Sequence, residues 1–413
     1  MMKSNMKKLT ILLVLFCILI SSFNCLSASD WVMYQNNPRH TGYVIQDTSF
    51  STQTWTTNVD SQVLASPILY NDKVIVSTMD GQIKALDAQD GDKSWDYDIK
   101  SAIESTPAID GDDIFIASND GYIYSNNIHD GSNNWKYKTG SAIKSSPAVD
   151  ENNVYVGSDD GIIYAIDRDS GNETWQFKTD DSVKSSPVVV DDVLYVGSDD
   201  DKLYAIDVND GSLKWSFTAG DNIRSSPAIY DDKVYVGSDD NQVYALNIED
   251  GSESWTFNAE SKVSSAIVID HRQSTLYVAT QKGKLFALDL RDGLKKWDKA
   301  IANKITSTPT LFGNNIAVGT SSGQVVMLNK FTGNEVWSYN PGYVGEMASP
   351  ISSSLISSGG SLFFVSEDGN VYSLNTDQKV GPTSVYTYYI LAGLIALGAV
   401  AVAAKILYNR RKR

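Results

Sequence analysis

Eight of the nine tryptophans recur at nearly constant spacing. Trp55, Trp95, Trp135, Trp175, Trp215, Trp255, Trp297 and Trp337 lie 40 residues apart, with one interval of 42. A period of about 40–45 residues with strand-type content indicates propeller blades, units that bury their apolar faces only by stacking. Residues 144–175 read KSSPAVDENNVYVGSDDGIIYAIDRDSGNETW. The segments SSPAVD, NVYVGS, IIYAID and ETWQFK are short and rich in β-branched and aromatic residues, as strands are. Asp160-Gly161 and Ser170-Gly171 fall where tight turns are needed, and glycine supplies positive φ there without penalty. The Trp rings are expected to pack between adjacent blades. The small residues Ser77, Ala117, Gly157, Gly197, Gly237, Ala279, Gly319 and Ser366 read as one second-strand position that leaves room for the neighbouring blade.

A Ser/Thr-Pro pair marks the first strand of most repeats: Ser66-Pro67, Thr106-Pro107, Ser146-Pro147, Ser186-Pro187, Ser226-Pro227, Thr308-Pro309 and Ser349-Pro350, with Ala266-Ile267 in the sixth. Proline removes a ladder donor and is tolerated at a sheet edge, so this strand should line the central channel. Trp55 ends a fourth-type strand with no partner before it. The last repeat has three strands, near 349–353, 362–366 and 370–375, and lacks a Trp strand. Completing that blade with the N-terminal strand closes the ring and removes its edges. The expected fold is an all-β, eight-bladed propeller of four-stranded antiparallel blades, with seven blades as the alternative.

At ALDAQDGDKSW (85–95), AIDRDSGNETW (165–175), AIDVNDGSLKW (205–215), ALNIEDGSESW (245–255) and ALDLRDGLKKW (287–297), the chain resembles the pyrroloquinoline-quinone-like propeller repeat family. SNNIHDGSNNW (125–135) and MLNKFTGNEVW (327–337) are degenerate copies. The resemblance covers roughly residues 30–376 and implies the fold. It also implies a choice of functions, since the family holds quinone-dependent dehydrogenases, outer-membrane assembly lipoproteins and propellers of other roles. The dehydrogenases add vicinal cysteines beside the cofactor, and this chain has only Cys17 and Cys25.

The two ends read differently from the repeats. Lys3, Lys7 and Lys8 precede an apolar run and then small residues, so 1–29 is expected to be a signal peptide. The propeller is assigned to 30–378 and a linker to 379–388. An apolar segment at 389–407 is long enough to span a bilayer, and the basic tail 408–413 suits the cytoplasmic side. The expected placement is a single-pass membrane protein with its propeller outside. Formal net charge is −16, and eight of the 34 basic residues lie in the two acid-free ends. The propeller itself is therefore strongly acidic and should repel nucleic acid and anionic lipid.

No catalytic constellation stands out. His40, His129 and His271 occupy unrelated contexts and make no zinc pattern. Asp167, Asp169, Gly171 and Glu173 invite a calcium reading, but only the Asp167-type residue recurs across repeats, which fits turn capping. No metal, calcium or pyrroloquinoline quinone is expected to bind. The leading expectation is a non-catalytic cell-surface scaffold that binds a protein, peptide or glycan. A quinone- or metal-dependent oxidoreductase is the alternative, and an envelope assembly factor the second.

One row of residues varies where the scaffold does not. Three positions before each Ser/Thr-Pro proline stand Leu64, Glu104, Lys144, Lys184, Arg224, Ser264, Thr306 and Met347. Glu104, Lys144, Lys184 and Arg224 are consecutive charges expected near the channel mouth, as a site for an anionic ligand or as a solvated rim in which Glu104 pairs with Lys144.

Overall fold

The computed structural model describes residues 43–44 and 50–376, apart from 303, 306, 343–347 and 359. It forms eight sheets arranged as eight blades. Seven have four strands, and the seventh blade in chain order has five. Blade 3 shows the unit: Ala148–Val149, Asn153–Gly157, Ile162–Asp167 and Glu173–Lys178 pair in antiparallel order from channel to rim. Turns joining first to second and third to fourth strands lie on one face. There, for example, Arg168 N–H donates to Asn152 O at 3.0 Å. Turns joining second to third strands, and the links between blades, lie on the other.

Closure follows the expected plan. Phe50–Asn58 pairs antiparallel with Asn370–Thr376, Trp55 opposite Ser373, and becomes the outer strand of blade 8. Thr54 Oγ1 donates to Ser373 O at 3.0 Å, and Val59 N–H to Gly369 O at 2.9 Å. The fifth strand of blade 7 is Tyr43–Val44, which pairs parallel with the inner strand Thr310–Phe312.

Blade 8 corrects two expectations. Its inner strand is Ile356–Ser358, not a strand near 349–353. Ser354 N–H donates to Ser66 Oγ at 2.9 Å, the bond that Ser146 N–H makes to Ser186 Oγ at 3.0 Å. Ser353-Ser354-Leu355 is therefore the counterpart of Ser145-Ser146-Pro147. Pro350 sits earlier, and its carbonyl accepts from Glu367 N–H at 2.8 Å as Ala142 O does from Asp159 N–H. The small second-strand position in this blade is Val365, opposite Val371, rather than Ser366. Elsewhere the space argument holds: a Cβ added to Gly157 would lie 2.2 Å from Val183 Cγ1, and one on Gly237 equally close to Val263.

The tryptophans pack between blades as expected, two of them, Trp95 and Trp337, in a different arrangement from the rest. Trp55, Trp135, Trp175, Trp215, Trp255 and Trp297 each donate Nε1–H to a turn carbonyl of the next blade, at 2.7–3.1 Å. The turn glycine lies under the ring. A Cβ on Gly171, at φ +70°, would sit 2.6 Å from Trp135. Trp95 instead stacks on Tyr97, and Tyr97 takes the place over Gly131. Trp337 stacks on Tyr339. Blade 8 draws its third and fourth strands from opposite ends of the chain, and there Trp337 packs with Tyr339 against the core shared by blades 7 and 8.

The expected signal peptide 1–29 and the segments 379–388, 389–407 and 408–413 lie outside the described residues. Among those described, no helix is long and apolar enough to cross a membrane.

Candidate functional site

The inner strands are short, and the chain enters each from a link that crosses to the neighbouring blade. Val183 N–H donates to Ser158 O and Ile223 N–H to Ser198 O, both at 3.0 Å. Each link is thus fixed to the preceding blade just before it reaches the channel. The next residue faces inward, and these residues wall a central cavity of about 390 Å³.

The structure brings the expected row together. Leu64, Glu104, Lys144, Lys184, Arg224 and Ser264 all line this cavity. Ser352 completes the row in blade 8, in place of Met347; Thr306 and Met347 lie outside the described residues. Below them a belt of hydroxyls runs from blade to blade. Ser66 N–H donates to Thr106 Oγ1, Thr106 N–H to Ser146 Oγ, Ser146 N–H to Ser186 Oγ and Ser186 N–H to Ser226 Oγ, at 3.0–3.1 Å. These bonds explain why a hydroxyl precedes the proline. The proline itself lies just before the strand, where no ladder donor is lost.

Sequence reasoning missed the second ring. The residue after Ser158 and its equivalents in the second-to-third turn stands beside the row: Asn119, Asp159, Asp199, Asp239, Gln281 and Glu367. Lys184 Nζ lies 2.6 Å from Asp199, while Arg224 bonds both Asp199 and Asp239. Lys262 Nζ is 3.0 Å from Asp239, and Ser264 Oγ donates to the same carboxylate at 2.9 Å. Asp199 and Asp239 are nearly buried, their side chains 6% and 1% exposed. Burial opposes ionisation of Asp199, but Arg224 and Lys184 prevail and hold its carboxyl below the usual range. The pattern was readable as Asp at one fixed offset after the small residue, but it looks like ordinary turn composition.

The expected Glu104–Lys144 pair is not formed among the described residues. Glu104 accepts from Asn119 Nδ2 at 2.7 Å, and Lys144 lies 3.6 Å from Asp159. Lys304 differs from the other cavity cations. The ring position is Gln281 in blade 6 and Ser321 in blade 7, so Lys304 meets no carboxylate among the described residues. His129 is exposed beside Asp112, and His271 stacks on Tyr230, both far from this wall in the chain's plan.

Asp167 caps its turn, accepting from Ser170 N–H at 2.8 Å and Ser170 Oγ at 2.7 Å. Asp169 stands by Arg168, and Glu173 accepts from the Tyr137 hydroxyl, so these carboxylates diverge. Among the described residues no three His, Cys, Asp or Glu side chains gather to hold a metal.

A family model of PQQ-like repeats, described as outer membrane protein assembly factor BamB, matches residues 39–102, 99–177, 159–309 and 302–381. The chain belongs to the PQQ-like repeat propeller family. Among solved structures it is similar to BamB from Moraxella catarrhalis, at 20% identity and a TM-score of 0.69, over 78% of this chain and 99% of that one. It is similar to the quinohemoprotein alcohol dehydrogenase from Comamonas testosteroni, at 14% identity and 0.71, over 84% and 80%. A computationally designed protein, Ika8, matches at 17% identity and 0.70, over 79% and 100%. Likenesses at these identities establish the fold alone. No curated protein matches significantly by sequence.

A quinone cofactor fits this cavity poorly. A planar quinone needs an aromatic or apolar slot, and among the described residues the apolar lining here is Leu64, Ala65, Ala279 and Ile305. A divalent cation beside it needs carboxylates to spare, whereas Asp199 and Asp239 already hold lysine and arginine.

Proposed function

We propose that this chain is a non-catalytic binding propeller, working outside the cytoplasmic membrane as a scaffold for a polypeptide partner in the manner of an envelope assembly factor. The observation that carries the reading is the pre-paired wall of the cavity. Among the described residues the wall's carboxylates are engaged by a cation, an amide or a hydroxyl, with Asp159 the loosest: it stands 3.6 Å from Lys144 and its Oδ1 is buried without a hydrogen-bond partner. What remains is a fixed array of hydroxyl and ammonium donors. That array suits a polar extended segment, whose carbonyls accept from it. Lys304, which meets no acid among the described residues, is where a carboxylate of the partner would sit, either an acidic side chain or a chain terminus. The family model's description as an assembly factor supports a protein partner over a glycan.

A photo-crosslinking amino acid in place of Ser264, in the full chain and in native cells, tests this. The expected result is a discrete polypeptide adduct, weakened by Lys304→Gln and absent when the probe replaces Leu213 on the outer rim. The oxidoreductase reading is retained as the second because dehydrogenases share the fold. Stoichiometric binding of pyrroloquinoline quinone with calcium, followed by dye reduction, would replace the scaffold reading with it.

A further inference from the structure

The face opposite the cavity is divided by charge. It is built from the turns that join first to second and third to fourth strands. In blades 1–5 these turns carry exposed carboxylates such as Asp90, Asp130, Asp169, Asp192, Asp232 and Glu249. In blade 6 the same turns carry His271, Arg272, Arg291 and Lys295 beside one exposed carboxylate, Asp292, with Arg291 paired to Asp289, and in blade 7 the third-to-fourth turn carries Phe331 and no acid. Leu294, Phe331 and Val336 are three of the four large apolar side chains exposed on the described surface, at 67%, 47% and 51%. Leu294 and Phe331 belong to third-to-fourth turns of adjacent blades. The turns are tied together, because Trp297 Nε1–H donates to Lys330 O at 2.9 Å. The Lys330 ammonium is itself buried on Asp270 at 2.7 Å, so the corner is stiff and its apolar tips stand proud.

The chain leaves the propeller on this same face. Strand Asn370–Thr376 runs away from the cavity, and Asn375 pairs with Ser361 beside the first-to-second turn of blade 8. Twelve residues, 377–388, separate its end from the apolar segment 389–407. Fully extended they reach at most about 40 Å, roughly the diameter of a domain. If that segment is in a bilayer, this face cannot be far from the headgroups.

We infer that the blade 6–7 corner, with Leu294 and Phe331 at its tip and Arg291 beside them, rests on the surface of a bilayer containing anionic lipid. The proposal rests on the reading of 389–407 as a span and on the scaffold reading of the cavity. The acidic turns of blades 1–5 are repelled by anionic headgroups more strongly than the blade 6–7 sector, where Asp292 is outnumbered by Arg272, Arg291 and Lys295. Repulsion on one side and apolar insertion on the other tilt the propeller about its tether. The cavity is then held facing away from the membrane, open to a partner arriving from outside. The chain's overall acidity does not oppose this, because the surface met by the membrane is one sector and not the average.

The test uses the full chain in nanodiscs of phosphatidylcholine with phosphatidylglycerol, and of phosphatidylcholine alone, with Cys17 and Cys25 replaced by serine. A fluorophore is placed at Leu294→Cys, at Phe331→Cys or, on the opposite face, at Ser264→Cys. Lipids with a nitroxide in the headgroup region serve as quencher. Quenching at 294 and 331 should exceed that at 264 severalfold, and should fall towards the 264 level when phosphatidylglycerol is omitted or salt is raised. Equal quenching at all three positions in a chain retained by the nanodisc overturns the docking and leaves the span and the scaffold standing. A chain that is not retained overturns the span and the docking together. A probe at 294 that is unquenched in nanodiscs but crosslinks to a protein in cells overturns the membrane in favour of a protein partner. Ligand adducts at Ser264 test the scaffold separately.

Discussion

Arg224 ties two blades together: its Nε and Nη2 donate to Asp199 of blade 4 at 2.8 and 3.1 Å, and its Nη1 to Asp239 of blade 5 at 3.2 Å. The two carboxylates are nearly buried while the guanidinium is partly in solvent, so the acids depend on the arginine more than it depends on them. Removing it leaves Asp199 with Lys184, and Asp239 with Lys262 and Ser264. Arg224→Gln is expected to cost about 1.5–3 kcal/mol, the range for hydrogen bonds to charged groups. In a double-mutant cycle by denaturant unfolding, Asp199→Asn should add much less on top of Arg224→Gln than it does alone. Additive losses would mean that the pair is not coupled.

The closing strand makes a second prediction. Phe50–Asn58 supplies the outer edge of blade 8 and docks Trp55 on Ala88 O at 3.1 Å. Without residues 50–58 the third strand of blade 8 becomes an open edge and blade 1 loses its Trp contact. The truncated propeller is expected to aggregate or melt far below the intact one. A soluble truncation with unchanged melting temperature would show that closure contributes nothing.

Acid sensitivity follows from the capping aspartates. Lys214, together with the backbone and side chain of Asn209, draws Asp207 down to about 2. Arg291 does the same for Asp289, also to about 2, against burial that works the other way. Both folded values lie below the unfolded value of about 3.9, so the stabilisation is present above that value and lost as pH falls towards 2. Melting temperature measured against pH should show wild type above Asp207→Asn at neutral pH, with the gap closing between about pH 4 and 2. A gap independent of pH would assign the effect to packing instead.

The hydroxyl belt has a natural break. Ala266 stands where Ser186 and Ser226 stand in blades 4 and 5, so blade 6 offers no hydroxyl to Ser226 N–H. Ala266→Ser is expected to extend the belt and stabilise the propeller by about 1 kcal/mol. Ser146→Ala should cost about 1–3 kcal/mol, because Thr106 N–H then faces the interior without an acceptor. Thermal and chemical unfolding of the two variants would check the opposite signs.

Much of this architecture is legible from spacing, because blades repeat and repetition separates scaffold from variation. The Trp period, the four strand types and the N-terminal closure all follow from it. Legibility fails where the chain stops repeating. In blade 8, Ser349-Pro350 imitates the motif while Ser353-Ser354-Leu355 occupies its place, since hydrogen-bond position and not proline identity defines the site. The cationic row was visible as variation against a constant frame. Its acidic partners were not, because Asp159, Asp199 and Asp239 sit in turns, where aspartate is expected for local reasons. Nothing in one sequence tells a turn aspartate that caps its own backbone from one that faces a cation on the next blade.

Tyr97 offers the last prediction. The motif copy facing Trp95 is the degenerate one at 125–135, and there Tyr97 rather than Trp95 covers the turn glycine: a Cβ on Gly131 would lie 2.7 Å from the Tyr97 ring. The ring stacks on Trp95 at 5.4 Å, but the hydroxyl is buried without a hydrogen-bond partner, and that burial pushes its pKa up. Phe177, Phe217 and Phe257 hold the same strand position in blades 3–5 but pack on Tyr204, Tyr244 and Phe286 and leave the turn glycine to the tryptophan. Tyr97→Phe keeps the stack and removes the unpaired group, so it should stabilise by about 1 kcal/mol or more. Trp95, partly exposed and lacking the Nε1–H bond that Trp175 makes to Val208 O at 2.7 Å, should be cheaper to lose. Trp175→Ala is expected to cost about 3–5 kcal/mol and Trp95→Ala clearly less. Denaturant unfolding of the three variants decides the matter: a loss of stability in Tyr97→Phe would show that the hydroxyl is satisfied after all, and equal costs for the two tryptophans would show that Trp95 docks like the rest.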